Sequence, residues 1–295
     1  MLDDARAVLE VLDARDLADI GVADTTLRDL VEEWQTTEFD LASNAIVAED
    51  EVGRIVGYAG VASDGSLAVV APEQEHLDIS VRMLEWVESR ERAIGRDHRQ
   101  WVASSNKPAQ QLLLAAGYRH VRSYWRMVRQ LDGNKPKGTA PAGIGLRTLD
   151  VDRDAEVLHA LDAAAFASAP DYREESFTTF CEEHLHSANL DPQLSIIAHR
   201  DGHIAGFLLA RRWREEGSYY VDLLAVHPDH QRHGVGTALL TGAFSGFAAA
   251  GLREAQLDVA SDNPRALGLY ERAGMSVRWR YDVYERPSRT KRGQD

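Results

Sequence analysis

The sequence contains a single cysteine, Cys181, among its 295 residues. A lone cysteine cannot form an internal disulfide, and it excludes a zinc site built from several thiolates. Basic residues are also few, because 33 Lys and Arg stand against 47 Asp and Glu, a formal net charge of -14. Phosphate backbones are held by clustered basic side chains, so this balance argues against a nucleic-acid binder.

Long apolar runs are missing as well. No stretch approaches the roughly 18 residues that a membrane span needs. The first sixteen residues carry five acids, whereas a secretory signal begins with basic residues and then turns apolar. We therefore expect no membrane partner and a cytoplasmic location.

The length and composition instead indicate a globular protein of two domains. At roughly 100–200 residues per domain, 295 residues suffice for two cores, and 44% of the residues are hydrophobic. The segment 130–143 is rich in Gly, Pro and Lys and has no apolar period, which is typical of an exposed linker. We predict a first domain over 1–130, a linker over 131–143 and a second domain over 144–295.

The two halves resemble repeats of one plan. The segments 45–58 and 195–207 each read as a β-hairpin, with a Gly-containing turn between β-branched runs. Four landmark pairs recur at an offset of 156 or 157 residues: Pro72 and Pro228, Asn106 and Asn263, Gly117 and Gly274, Tyr124 and Tyr281. The pattern predicts an α/β (α+β) fold in each half, with a mixed β-sheet flanked by helices.

Several elements can be placed from local signals. The Ala- and Leu-rich segment Gly236–Ala250 predicts a helix, and a strand over Glu254–Ala260 follows it. Asn263 suits the N-cap of the next helix, which Gly274 closes. In the first half, Ile79–Ala93 is the helix that corresponds to Gly236–Ala250.

The segment 220–240 is the one most informative about chemistry. An apolar strand runs into a short loop that contains Arg232, Gly234 and Gly236, and a helix follows. The first amides of a helix have no intrahelical acceptor, and glycines let a ligand phosphate approach without an obstructing Cβ. Strand, loop, basic residue and helix in this order predict a phosphate-binding site.

The wider pattern resembles the GNAT superfamily of acyl-CoA-dependent N-acyltransferases. The segment 231–236 fits the Gln/Arg-x-x-Gly-x-Gly/Ala loop of that superfamily, and the segment 224–228 is of the type that introduces it. The segment 263–275 is similar to the Asn-x-x-Ala-x-x-x-Tyr-x-x-x-Gly-Phe motif, with Met275 where Phe is usual. The resemblance covers residues 144–286 in topology and implies two tandem GNAT-like domains.

The resemblance also implies acetyl-CoA as cosubstrate and names the residues that would bind it. Leu224, Ala225 and Val226 would offer backbone groups to the pantetheine arm, and Asn263 would lie near it. Tyr270 would lie near the thioester sulfur. The diphosphate would be held by the amides of the loop and of the first helical turn: Gln231, Arg232, His233, Gly234, Val235, Gly236 and Thr237.

Acetyl transfer to a primary amine, of a small molecule or a peptide, needs a proton acceptor, since an alkylamine with a pKa near ~10 is mostly ammonium at neutral pH. Asp222, on the strand before the loop, is the candidate base or ammonium anchor, or else a capped or solvated strand acid. Tyr270 is the candidate acid for the leaving thiolate, or else a packing residue on an apolar helix face.

The first half departs from this pattern. When Pro72 is aligned with Pro228, Asp78 and Ser80 stand where the second half has its two loop glycines, and Leu113 stands where it has Tyr270. A carboxylate aimed at a diphosphate reverses the electrostatics, and leucine has no proton to give. We therefore read residues 1–130 as a degenerate copy.

Other polar groups read as surface. His227, His230 and His233 read as loop histidines and not as a metal site, so no metal is expected. The segment 182–186, which includes His184, reads as a solvated acidic helix face. Arg211 beside Trp213 reads as a solvated strand end, Glu175 as surface, and Cys181 as a small buried thiol.

Two alternatives to a general amine acetyltransferase remain. Tandem halves resemble the mycothiol synthases, two-domain members of the superfamily, although the Glu expected near Tyr220 in those proteins is absent here. The chain could instead be a non-catalytic acyl-CoA-binding regulator. Oligomeric state is not indicated by any pattern in the sequence.

Overall fold

The computed structural model describes residues 4–37, 39–62, 65–75, 78–131, 143–170, 172–213 and 218–287. The chain forms two compact units. Unit 1 comprises Met1–Trp125, Ala260–Asp262 and Trp279–Asp295, and unit 2 comprises Arg126–Val259 and Asn263–Arg278. Apart from its end residues, the predicted linker 131–143 lies outside the described residues. Among the described helices, none combines the length and the apolar character that crossing a bilayer requires.

The helices and strands alternate along the chain. Up to residue 130 they are α1 (Ala5–Asp19), α2 (Leu27–Gln35), α3 (Leu41–Asn44), β1 (Ala45–Glu49), β2 (Ile55–Val61), β3 (Ser66–Val70), α4 (Ile79–Ala93), β4 (His98–Ala103), α5 (Lys107–Ala115) and β5 (Arg119–Gln130). They continue as β6 (Ile144–Thr148), α6 (Val151–Phe166), α7 (Phe177–Phe180), a π-helical turn (Cys181–Leu185), β7 (Ile196–Arg200), β8 (His203–Arg212), β9 (Ser218–Val226), α8 (Val235–Ala249), β10 (Glu254–Ala260), α9 (Pro264–Arg272) and β11 (Ser276–Arg286).

Unit 1 is built on a mixed sheet. Its strands lie in the order β1-β2-β3-β4, followed by the unit 1 portions of β11 and β5. β1, β2 and β3 are antiparallel, whereas β3 and β4 are parallel and share a single ladder pair, Ser66 with Gln100. Helices α1 and α2 pack on one group of buried side chains that includes Val8, Trp34 and Tyr58.

Unit 2 repeats the plan. The unit 2 portion of β5 is followed by β10-β9-β8-β7-β6, with β6 to β9 antiparallel and β9 parallel to β10. Helix α8 is almost wholly apolar and buries residues such as Leu239 and Phe244. A cluster of buried hydrophobic side chains, which includes Leu158, Phe180 and Phe207, packs α6 and the π-helical turn against the sheet.

The predicted fold class, a mixed sheet with helices in each of two related halves, is confirmed. The helix over Ile79–Ala93 and the strand over Glu254–Ala260 have the predicted bounds, and the helix predicted over Gly236–Ala250 begins and ends one residue earlier.

Two features of the fold were not predicted from the sequence. Strand β6 precedes the helices of the second half, and the C-terminal part of β11 belongs to unit 1 while the end of β5 belongs to unit 2. The units therefore differ from the predicted domain boundaries at both strands.

Candidate functional site

The centre of unit 2 is the place where β9 and β10 separate. Ladder pairing between these parallel strands, both wholly described, ends at Gln256 with Tyr220. Beyond that pair, β9 continues with one edge bonded to β8, since Leu224 pairs with Leu208 and Val226 pairs with Gly206. Its other edge, on the side of β10, has no ladder pair with β10 over the described segment that contains Leu224, Ala225 and Val226. An extended ligand can add to such an edge through backbone hydrogen bonds.

A β-bulge lies just before the open segment. Leu209 of β8 pairs with Leu223, but the next residue, Ala210, pairs with Val221. Asp222 is therefore the extra residue on β9. Bulges redirect side chains and end regular pairing, and they are common beside active sites.

The loop after β9 presents a run of backbone amides. Arg232 and Gly234 both adopt positive φ, 62° and 84° respectively, and Gly234 is the N-cap of α8. Within the described residues, no acceptor receives a hydrogen bond from any amide between Arg232 and Thr237. Six consecutive amides at the N-terminus of a long helix form a concave site for an anion. The exposed Arg232 adds a positive charge at its edge.

Side-chain contacts hold this loop in place. Gln231 Nε2 donates to the carbonyl oxygen of Val226 at 3.2 Å, and Arg265 Nη1 donates to Gln231 Oε1 at 2.8 Å. His233 Nδ1 lies 2.8 Å from the carbonyl oxygen of Gln231. His227 Nδ1 accepts a hydrogen bond from the amide of Asp229 at 3.3 Å. The loop histidines thus shape the turn, which agrees with their reading as loop residues.

Gly236 is required by close packing. A Cβ at this position would lie 3.0 Å from Leu269 Cδ2, 3.8 Å from Val226 Cγ2 and 4.0 Å from Leu224 Cδ2. An alanine would need a small shift of one flexible leucine, and any larger side chain would fill the space between α8, β9 and α9. The space at this position therefore suits glycine, or alanine after a small shift.

Helix α9 places two of the predicted site residues. Asn263 is its N-cap, and its Oδ1 accepts a hydrogen bond from the amide of Ala266 at 3.1 Å. About two turns later, Tyr270 is 8% exposed. Its hydroxyl has no hydrogen-bond partner among the residues that the structure describes. Burial raises the pKa of Tyr270 to about 12, so the phenol keeps its proton at neutral pH.

Asp222 is enclosed by two cations. Its Oδ2 lies 2.7 Å from His184 Nδ1 and 3.2 Å from Arg211 Nε, and its side chain is 11% exposed. Burial alone would raise the pKa of Asp222, but Arg211 and His184 outweigh it and lower the pKa. The carboxylate is therefore ionised and paired, and it is a weaker base than an ordinary aspartate.

His184 carries the compensating charge. Burial alone would lower its pKa, but Asp222, together with Glu175 at 3.5 Å from Nε2, raises it to about 10. The sequence reading of His184 as part of a solvated helix face was wrong, as its side chain is 15% exposed. The reading of Arg211 as a solvated strand end was also wrong. Arg211 pairs with Asp222 and donates to the carbonyl oxygen of Glu183.

This cluster is brought together by strand pairing and not by a pattern in the sequence. Arg211 pairs with Tyr220 across the β8–β9 ladder, which brings it close to Asp222 once the bulge is known. No sequence pattern marks the bulge. The contribution of His184 depends on the π-helical turn, which sets the direction of its ring.

Ligand atoms of Glu175, Glu183 and His184 lie within 4.8 Å of one another, the spacing of a small metal site. Both nitrogens of the His184 ring already face carboxylates, Nδ1 at 2.7 Å from Asp222 and Nε2 at 3.5 Å from Glu175, so the ring is held as an ion-pair partner. The expectation of no metal stays a prediction.

The corresponding place in unit 1 has different chemistry. Asp78 is the residue before α4, and its side chain makes no capping hydrogen bond there. Leu113 is buried at the position that Tyr270 occupies in unit 2. A negative charge therefore stands at the helix N-terminus of unit 1, where unit 2 offers Gly234.

Comparison with known proteins places this geometry in context. Residues 156–275 match the family model described as acetyltransferase (GNAT) family. A mycothiol acetyltransferase of Beutenbergia cavernae is 30% identical over 255 residues, which cover 80% of this chain and 81% of the relative. One from Clavibacter michiganensis is 32% identical over 77% of this chain and 75% of the relative. A third, from Actinosynnema mirum, is 32% identical, but the match spans only 63% of that relative's length.

Two solved structures share the fold across nearly the whole chain. A GCN5-related N-acetyltransferase from Sphaerobacter thermophilus has a TM-score of 0.81 at 24% identity and covers 97% of this chain and 93% of its own. A tandem GNAT protein from the clavulanic acid biosynthesis pathway has a TM-score of 0.73 at 16% identity, covering 97% and 95%. At these identities the likeness concerns the fold alone.

Proposed function

Because the chain belongs to the GNAT acetyltransferase family, we propose that it transfers an acetyl group from acetyl-CoA to a primary amine of a small molecule or peptide. The proposal assigns this activity to unit 2. The observation that carries it is the run of unpaired amides from Arg232 to Thr237 at the N-terminus of α8, beside the open edge of β9.

These features suit the two parts of acetyl-CoA. The diphosphate would accept hydrogen bonds from the loop amides, with Arg232 balancing part of its charge. The pantetheine arm would add along the open edge at Leu224, Ala225 and Val226. This arrangement points the thioester toward the bulge at Asp222 and toward α9.

Tyr270 would assist the leaving group through a hydrogen bond. The thiolate of CoA has a conjugate acid with a pKa of about 8.5 if it resembles cysteine. A phenol whose pKa is about 12 is a weaker acid than that thiol, so complete proton transfer is uphill. Donation of a hydrogen bond to the developing negative charge needs no transfer, and it still lowers the barrier.

Asp222 would act through its charge. As a carboxylate with a lowered pKa and two cationic partners, it fits the role of positioning residue better than that of immediate proton acceptor. We infer that water takes the proton of the acceptor ammonium, and that Asp222 holds His184 and Arg211 in place at this end of the site.

The test is a thermal shift with acetyl-CoA on the wild type, Gly234→Asp and Gly234→Asn. Both substitutions suit the left-handed conformation at φ 84°, and they differ in charge only. We expect acetyl-CoA to stabilise the wild type and Gly234→Asn, and to stabilise Gly234→Asp far less. Equal stabilisation of all three proteins would show that the diphosphate binds elsewhere.

A second candidate follows from the relatives that are named mycothiol acetyltransferases. Its acceptor would be the cysteinyl amine of a cysteinyl-glucosaminyl-inositol compound. Release of CoA with this acceptor, and not with a panel of simpler amines, would favour it. A non-catalytic acyl-CoA-binding regulator would bind acetyl-CoA but release no thiol with any amine.

A further inference from the structure

We propose that unit 1 contains a second binding site, which takes a small organic cation with an apolar body and not a nucleotide. The site is a cavity of about 360 Å³ bounded by α1, α4, α5, β3 and β4. It lies where β3 and β4 separate after their single ladder pair. Pockets of this volume are large enough for small-molecule ligands.

The walls of the cavity are apolar. They include Val70, Met83, Leu84 and Leu113, each less than a tenth exposed in the empty protein. An aliphatic or aromatic body would be desolvated there, and each buried methylene favours binding by the hydrophobic effect.

The polar lining is acidic. Four carboxylates, on Asp16, Asp19, Glu75 and Asp78, border the cavity, and Arg15 is the one Lys or Arg among its described lining residues. Arg15 already pairs with Asp19 at 2.6 Å and with Glu75 at 3.1 Å. Its charge is therefore neutralised inside the lining.

Two of the carboxylates keep an unbalanced charge. Within the described part of the chain, no cationic side chain pairs with Asp16 or Asp78, and the recorded hydrogen bond to Asp16 is from the amide of Asp24 at 2.9 Å. Ser80 Oγ, also in the lining, is buried without a hydrogen-bond partner among the described residues. Buried polar atoms in native proteins are normally satisfied, so Ser80 Oγ can accept a hydrogen bond from a ligand. The partly buried Asp16 and the exposed Asp78 add negative charge to the lining.

The same charges exclude the ligand proposed for unit 2. Asp78 stands at the N-terminus of α4, where a diphosphate would have to sit, and like charges at close range repel. An ammonium instead gains from Asp16 and Asp78, the two carboxylates of the lining that Arg15 does not pair with.

The probe is hexylammonium, titrated calorimetrically into the full chain, with hexan-1-ol and hexanoate as ligands of matched length. We expect saturable binding of the ammonium and much weaker binding of the alcohol and the carboxylate. Two variants locate the site: Asp16→Asn removes one charge at constant size, and Ala109→Leu fills the cavity.

We expect Asp16→Asn to weaken hexylammonium binding about tenfold, as loss of one partly buried charge pair would, and Ala109→Leu to abolish it. The exposed Glu85→Gln in α4 removes the same charge outside the lining and is the matched control. It should bind like the wild type. Equal binding of the three ligands, no saturable binding at millimolar concentration, or loss of binding in Glu85→Gln with retention in Asp16→Asn would overturn the proposal.

Discussion

The imidazole of His184 donates from Nδ1 to Oδ2 of Asp222 across 2.7 Å, which joins the π-helical turn to the bulge of β9. The two residues are 38 positions apart in the chain. Their pairing holds the segment before β7 against β9, the strand that leads into the proposed diphosphate site. The contact is therefore both a stabilising ion pair and a determinant of the shape of the proposed acceptor end.

This pair predicts a defined pH dependence of stability. The pKa of His184 is raised from 6.5 to about 10, so the folded state holds a proton that the unfolded chain releases near pH 6.5. The stabilisation is complete below about pH 6.5 and is lost as the pH rises through about 10. His184→Gln should lower the free energy of unfolding by about 3 kcal/mol at pH 6.

Chemical denaturation of both proteins at pH 6 and pH 10.5 would measure the difference. The gap between wild type and His184→Gln should narrow at the higher pH. His186→Gln, on an exposed neighbour in the chain, is the matched control and should change stability by less than about 0.5 kcal/mol. A gap that is independent of pH would mean that packing of the ring, and not its charge, stabilises the fold.

A second prediction concerns Tyr270→Phe. The hydroxyl has no hydrogen-bond partner among the described residues, so its removal should leave the melting temperature close to that of the wild type. If the phenol assists the departing thiolate, kcat should fall by about 10- to 100-fold, the lower part of the range for such assistance. The KM for acetyl-CoA should change little, because the interaction forms only as the thiolate develops.

The pH profile adds a separate test. Since the pKa of Tyr270 is about 12, its ionisation should produce no loss of activity between pH 7 and pH 10. Tyr284→Phe removes a hydroxyl from a buried tyrosine of unit 1 and should leave kcat unchanged. Unchanged kcat in Tyr270→Phe itself would support the packing interpretation. A protein that binds acyl-CoA without catalysis would instead show no turnover in the wild type or in the variant.

The elements that local signals specify were predictable from the sequence. Asn263 caps α9, Gly274 has φ 84° just after it, and Asn106 caps α5 in the same manner. Caps and left-handed glycines depend on a few adjacent residues, so the sequence pattern contains the information. The position of the glycine-containing loop between β9 and α8 followed from the same kind of signal.

The surroundings of Asp222 were not predictable in this way. Arg211 and His184 reach it through a bulge and a π-helical turn, both of which depend on packing between distant segments. Hydrophobic periodicity does not report either feature. The exchange of strand ends between β5 and β11 was missed for a related reason, because an internal repeat predicts two copies and not how their last strands are shared.

A third prediction concerns Asp16. Burial raises its pKa from 3.8 to about 6, with nearby acids adding to the effect of burial. The folded state therefore binds a proton more readily than the unfolded chain, and ionised Asp16 opposes folding at neutral pH. Protonation of Asp16 should therefore increase the free energy of unfolding as the pH falls from about 6 to about 4.

Asp16→Asn should thus raise the free energy of unfolding by about 2 kcal/mol at pH 8 and have little effect at pH 4. Denaturation curves at the two pH values give the comparison. Glu10→Gln removes an exposed acid from the same helix and serves as the control. Destabilisation by Asp16→Asn at pH 8 would show that the carboxylate has a favourable partner, which would also weaken the case for a cation site in unit 1.

The last prediction uses the internal repeat to separate two roles of one residue. Asn263 caps α9 through Oδ1, and the family resemblance places the residue near pantetheine, where the side-chain amide nitrogen would be its hydrogen-bond donor. Serine can retain the cap but offers no amide donor, so Asn263→Ser should keep the melting temperature within a few degrees. Its affinity for acetyl-CoA should fall about threefold to tenfold, as expected for one lost hydrogen bond.

Asn106→Ser is the matched control. Asn106 caps α5 by the same contact, with Oδ1 accepting from the amide of Ala109 at 2.9 Å, and it also donates to Asp19 at 3.1 Å. Because unit 1 is predicted not to bind the nucleotide, this variant should have the affinity of the wild type for acetyl-CoA, measured by calorimetry. Equal weakening in both variants would place acetyl-CoA in both units, and the acidic lining of unit 1 would then need another explanation. No weakening in either would restrict Asn263 to its role as a helix cap.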